Sequence, residues 1–210
     1  MVRGLLLSAG LAAALGACST PPSSMLDSLD QETVLIEHTK GHGTGTIVSP
    51  HAVLTAYHVV QETPLEVTFF NGPVVEGRVS WFDATLDLAL VAVEVPKGYP
   101  SIELDCDDLQ VGEQLVSIGH PTQSRWVAVG GHLPTTATIG SGQLVPLGFP
   151  VGLGTSGGPV FDRSGRVVGI TLAILAERNP ASAAYDRYKD TGIALMLPAK
   201  DFCDALGRSQ

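Results

Sequence analysis

Apolar residues in this chain come in short runs rich in Val, Ile, Leu and Thr, separated by turn residues. Thr33–Glu37, Thr44–Val48, Ala52–Thr55, Leu65–Phe70, Val74–Trp81 and Leu86–Val95 form one series. Gln114–Ile118, Trp126–Val129, Gly142–Val145, Pro159–Phe161, Arg166–Ile174 and Ile193–Met196 form a second. Runs this short, bounded by turn residues and lacking a 3.6-residue period, read as strands. Only Ala199–Leu206 reads as helix. Two sets of about six strands are expected to close on themselves, because a closed sheet leaves no unpaired edge. The expected fold is therefore all-β: two six-stranded antiparallel β-barrels, about 32–95 and 109–198, and a short C-terminal helix at about 199–207. Pro96–Asp108, rich in Pro and acids, reads as the hinge between them.

Composition narrows the function. A chain of 210 residues with 24 glycines and 14 prolines suits one turn-rich unit. With 44% hydrophobic residues it can bury a large core, and a net charge of −9 argues against nucleic acid as a partner. The first residues are a targeting segment: Arg3 precedes an apolar stretch from Leu5 to Leu15, too short to span a bilayer. It ends Leu15-Gly16-Ala17-Cys18, similar to the bacterial lipobox, in which cleavage before the cysteine is followed by its acylation. Residues 1–17 are then a signal peptide and Cys18 the lipid-bearing N-terminus. Ordinary secretion and an uncleaved anchor are the competing readings. Ser19, rather than Asp, after Cys18 favours the outer over the inner membrane. Residues 18–31, with Ser-Thr-Pro-Pro-Ser-Ser near their start, are expected to be a flexible tether. Cys106 and Cys203 remain, either as a disulfide in an oxidising compartment or as two buried thiols.

Three segments join a reactive side chain to a backbone suited to it. In Val53-Leu54-Thr55-Ala56-Tyr57-His58-Val59-Val60 a strand ends in a turn presenting a histidine. In Leu86-Asp87-Leu88-Ala89-Leu90-Val91 a lone acid starts an apolar strand, a costly placement unless the carboxylate is hydrogen-bonded. In Gly152-Leu153-Gly154-Thr155-Ser156-Gly157-Gly158-Pro159 a serine sits in a glycine-dense bend, where backbone N–H groups can approach a ligand closely. Asp83 and Glu94 are rivals of Asp87, but neither stands before the Leu-Ala-Leu run. His38, His42, His51, His120 and His132 show no metal-ligand spacing and read as surface or turn residues; no metal or cofactor is expected.

In their order and spacing of 29 and 69 residues, these segments resemble the trypsin-like serine peptidases, most closely the HtrA/Deg branch, from about Thr33 to Leu206. The resemblance implies a peptidase domain over 32–210, with His58 as general base, Asp87 as its orienting acid and Ser156 as nucleophile. It implies an oxyanion hole from the N–H groups of Gly154 and Ser156. Serine needs a base to take its proton as it attacks, and the base needs a partner to fix its tautomer. The implied activity is endopeptidase cleavage of unfolded or extended proteins in the cell envelope, so partners are protein or peptide substrates and, through the lipid, a membrane. A lipid-anchored pseudo-peptidase or peptide-binding envelope module is the alternative.

Thr155 stands where the branch has Asn, and the chain ends at Gln210 with no PDZ domain expected. By resemblance the primary pocket involves Pro150, Val151, Leu172, Ile174 and Gly192. None is acidic, so basic side chains are not favoured, and Ile174 is expected to shorten the pocket towards small aliphatic residues. The resemblance also implies a disulfide from Cys106 in the hinge to Cys203 in the terminal helix.

Overall fold

Alternation along the strands, and glycine where two layers meet, decide how this chain packs. The computed structural model describes residues 23–139, 143–178 and 188–207. The first group of strands is β1 (Thr33–His38), β2 (Gly41–Ser49), β3 (Ala52–Ala56), β4 (Leu65–Phe69), β5 (Val74–Asp83) and β6 (Leu88–Ala92). The second is β7 (Gln114–Gly119), β8 (Val127–His132), β9 (Val145–Pro146), β10 (Pro159–Phe161), β11 (Val167–Arg178) and β12 (Tyr188–Pro198). The first six close into an antiparallel barrel in the order β1-β2-β3-β6-β5-β4, with β1 pairing β4 to complete the ring. The others form a six-stranded antiparallel sheet in the order β8-β7-β10-β11-β12-β9. The fold is thus all-β in two six-stranded halves, but only the first ring is closed among the described residues. β9 spans two residues and one is proline, which has no N–H to extend a ladder.

In β2, Gly45 faces the barrel interior, where a Cβ would come within 2.5 Å of Val53, 2.8 Å of Ile36 and 3.0 Å of Val34. The absent side chain lets those three meet. Thr44 and Thr46, on the other face, are fully buried and bond through their hydroxyls to the Gly154 and Gly157 carbonyls of the second half, at 2.8 and 3.4 Å. The two halves share one core: Ile118, Phe161, Ile170 and Leu172 of the second join Ile47, Leu54 and Leu88 of the first. Each such side chain stabilises by about 1.5–3 kcal/mol on burial. A smaller cluster of Leu115, Leu133, Leu147, Phe149 and Met196 lies within the second half.

Two N-terminal expectations change or go untested. The tether over 18–31 is replaced in part by a helix, α1 (Ser23–Gln31), whose Leu29 is buried in the shared core and whose Leu29 carbonyl accepts the Thr33 hydroxyl at 3.0 Å. One buried leucine and a side-chain bond give this segment the anchor that its polar composition concealed. Cys18 and the signal segment lie outside the described residues. At the other end, a 3-10 turn at Ala199–Asp201 continues in Cys203 N–H to Ala199 and Leu206 N–H to Phe202 bonds of 2.8 and 3.2 Å. Cys203, buried, is joined to Cys106 of the connector, with Cα atoms 6.2 Å apart and 97 residues of sequence separation.

Candidate active site

Strand register brings the histidine and the acid together. β3 pairs with β6 so that Ala56 lies opposite Leu88. The residue before Leu88 is then next to the turn that follows Ala56. That turn is a 3-10 turn, Tyr57–Val59, pinned by buried Val59 and Val60, which leaves the His58 side chain 45% exposed. Asp87 grips it at three points. Its carbonyl accepts the Tyr57 N–H at 2.9 Å, Oδ1 accepts the His58 N–H at 3.0 Å, and Oδ2 accepts from His58 Nδ1 at 2.6 Å. Holding this pose costs Asp87 a left-handed backbone, φ +55°, uncommon outside glycine, asparagine and aspartate. With the proton assigned to Nδ1 by this bond, Nε2 is left as the basic nitrogen.

The rival acids do other work. Asp83 Oδ1 accepts the N–H groups of Thr85 and Leu86 at 2.7 and 3.1 Å, shaping the turn that delivers Asp87. Glu94 faces His51 on the surface, 3.3 Å away.

Ser156 sits on the bend before β10. Gly157, at φ +84°, touches the barrel so closely that a Cβ would lie 2.2 Å from Thr55 Oγ1 and 2.3 Å from the Thr44 carbonyl. Only glycine fits there. Thr155, buried, closes the turn through its hydroxyl, which donates to the Gly152 carbonyl at 2.8 Å. Neither the Gly154 nor the Ser156 N–H has a protein acceptor among the described residues, so both are available to a ligand. The Ser156 hydroxyl donates to the Leu172 carbonyl at 3.3 Å and makes no bond to His58 in this state. It must leave that carbonyl to engage the imidazole, and loose geometry before substrate arrives is common in such sites.

Of the pocket residues, Leu172 is buried and meets Ser156 through its carbonyl, Val151 packs on the smaller core, and Pro150 is exposed. Ile174 is half-buried opposite Ala194 of β12, and Gly192 adopts φ +74°. Leu153, 73% exposed beside Gly154, is apolar surface next to the bend that the sequence reading missed. Two histidines also differ from expectation. His120 is fully buried, its imidazole pushed down to about 3 by desolvation, with Nδ1 accepting the Trp126 N–H at 3.1 Å. His42 bonds through Nε2 to the His120 carbonyl at 2.8 Å. Neither has a sequence signal, because their contact depends on the two halves meeting.

A closed barrel against a second six-stranded sheet, with histidine and acid from one half and a glycine-built serine bend from the other, defines the trypsin-fold serine peptidases. The family described as trypsin-like peptidase domain matches residues 43–170, and the chain belongs to it. A putative serine protease, HhoB, of Synechocystis is 33% identical over 149 residues, 66% of this chain and 36% of that protein. A probable periplasmic serine endoprotease, DegP-like, of Bartonella henselae is 28% identical over 164 residues, 75% of this chain and 31% of that protein. The chain thus spans about a third of the length of these curated relatives. Among solved structures, the serine endoprotease from Yersinia pestis superposes with a TM-score of 0.73 at 20% identity, covering 90% of this chain and 67% of that one.

Proposed function

We propose that this protein is a serine endopeptidase of the bacterial cell envelope that cleaves unfolded or extended proteins, with His58 as base, Asp87 as its orienting acid and Ser156 as nucleophile. The observation that carries the reading is the two-oxygen grip of Asp87 on His58 beside a bend with two unclaimed N–H groups. In the acylation step the Ser156 proton passes to His58 Nε2 as Oγ bonds to the scissile carbonyl carbon. The Gly154 and Ser156 N–H groups then take the charge that develops on the carbonyl oxygen. The imidazolium returns the proton to the leaving amine, and water repeats the sequence to release the acyl group. Asp87 keeps the imidazole in the required tautomer throughout. Ile174 would shorten the primary pocket, so small aliphatic residues are the favoured side chains at the cleavage site. Cys18 would carry a lipid that holds the domain at the membrane, with the periplasmic naming of the Bartonella relative in support of an envelope location.

The bond from Ser156 to Leu172 gives some support to a second reading, a pseudo-peptidase that binds peptides without cutting them. Labelling with a fluorophosphonate, combined with casein digestion, separates the two. The enzyme labels at Ser156 and digests casein, and Ser156→Ala does neither. A wild-type protein that stays unlabelled and inert would overturn the proposal.

A further inference from the structure

We propose that Thr44, supported by His42 and His120, is a positioning residue that latches the Ser156 bend with its N–H groups free for an oxyanion. This inference rests on the function proposed above. The bend needs such a device. Gly154 has φ +101° and no side chain to bias it, so the backbone around it is oriented by the hydrogen bonds made to it.

Thr44 supplies two of those bonds. Its hydroxyl faces two partners, the His120 N–H at 3.2 Å and the Gly154 carbonyl at 2.8 Å. A backbone N–H can only donate, so the hydroxyl accepts from His120 and its single proton goes to Gly154. Its direction is therefore fixed by the protein. The Thr44 N–H also donates to the Ser156 carbonyl at 2.9 Å, so one residue holds the bend on both sides of Thr155. The neighbouring peptides are tied as well: the Thr122 N–H donates to the Leu153 carbonyl at 2.7 Å, and the Gly158 N–H to the Thr155 carbonyl at 2.9 Å. In a trans peptide the C=O and the next N–H point in opposite directions. Fixing the Leu153 and Thr155 carbonyls therefore aims the Gly154 and Ser156 N–H groups.

His42 completes the latch by holding the His120 backbone from the far side, through its Nε2 bond to the His120 carbonyl. The same two atoms form a floor under Gly154, where a Cβ would lie 2.4 Å from each. Because Thr44 and His42 belong to β2 while His120 and Thr122 follow β7, the latch exists only when the two halves are docked.

The test compares Thr44→Val, which removes the hydroxyl, with Thr44→Ser, which keeps it, and with Thr33→Val, which deletes an equally buried hydroxyl that bonds to α1 instead. Deleting one oxyanion donor outright costs about 10²–10³ in kcat, so loosening the pair in Thr44→Val should lower kcat about 10–100-fold with KM within about twofold. Thr44→Ser should recover most of the loss, and Thr33→Val should leave kcat unchanged. A second measurement, amide hydrogen exchange in a Ser156→Ala background, needs no turnover. Thr44→Val should speed exchange in the segment 152–158 at least about tenfold while β4 and β5 stay protected. Unchanged kcat with unchanged exchange, or a loss shared equally by Thr33→Val, overturns the latch. An inert wild type whose bend still loosens in Thr44→Val overturns the proposed function and leaves the latch standing. If Thr44→Val does not fold, His42→Leu against His42→Gln puts the same question, since only glutamine retains an N–H for the His120 carbonyl.

Discussion

Breaking the bond between Cys106 and Cys203 should cost stability and spare the site. The bond closes a loop of 97 residues that contains nearly all of the second half. Chain-entropy arguments put the cost of losing such a cross-link at about 4–5 kcal/mol, through the freedom regained by the unfolded chain. In the folded protein both ends are held independently. The Asp105 N–H bonds to the Val167 carbonyl at 2.9 Å and Asp105 pairs with Arg166, while Phe202, next to Cys203, is fully buried. Little native geometry should therefore change. For a domain of this size, 1 kcal/mol shifts Tm by about 2–4 °C, so the expected fall is roughly 10–15 °C. Scanning calorimetry of wild type, Cys106→Ser and Cys203→Ala should show falls of similar size, with the double variant no worse than either. Fluorophosphonate labelling at low temperature should be unaffected. A fall of under about 3 °C, or two freely alkylated thiols in protein taken from an oxidising compartment, would refute the reasoning.

Ser156→Ala and His58→Ala should each abolish casein cleavage, and the double variant should be no worse, because the two groups act as a unit; additive losses would argue against the assignment. Gly154→Ala should lower activity and weaken fluorophosphonate labelling, since its Cβ would lie 2.4 Å from the His120 carbonyl at a φ of +101°, and wild-type labelling rates would contradict this. Glu32 gives a pH effect: desolvation raises its carboxyl from 4.5 to about 7, and its Oε2 has no partner. The proton is then bound more tightly in the folded state, so stability is lost as pH rises from 4.5 to about 7. Glu32→Gln should raise Tm at pH 8 and leave it nearly unchanged at pH 4, and equal shifts at the two values would disprove the assignment. Ile174→Gly should widen the accepted cleavage-site residues towards larger apolar ones, read from peptide-library digestion.

What the sequence alone determined is local. Strand-length runs and turn residues placed a strand at each of the twelve observed positions, because pleat alternation and Gly/Pro punctuation are written into neighbouring residues, but the bounds drift in the second half: Gly142–Val145, which starts outside the described residues, shares only Val145 with β9, and Ile193–Met196 covers only part of β12. The His58, Asp87 and Ser156 segments were legible for the same reason: each couples a reactive residue to a backbone constraint such as Gly157, which no side chain could replace. Tertiary structure decided whatever depends on residues far apart in the chain. It ordered Ser23–Gln31 as helix by burying Leu29 in a core shared by both halves. It turned His120, a surface or turn residue on the sequence reading, into a buried neutral imidazole whose backbone meets Thr44 across 76 residues. The proposed oxyanion donors belong to both levels. Glycine spacing announces the bend, but the bonds to its Leu153, Gly154 and Ser156 carbonyls come from Thr122 and Thr44, and hydrogen bonds between distant parts of the chain leave no period or motif in a sequence.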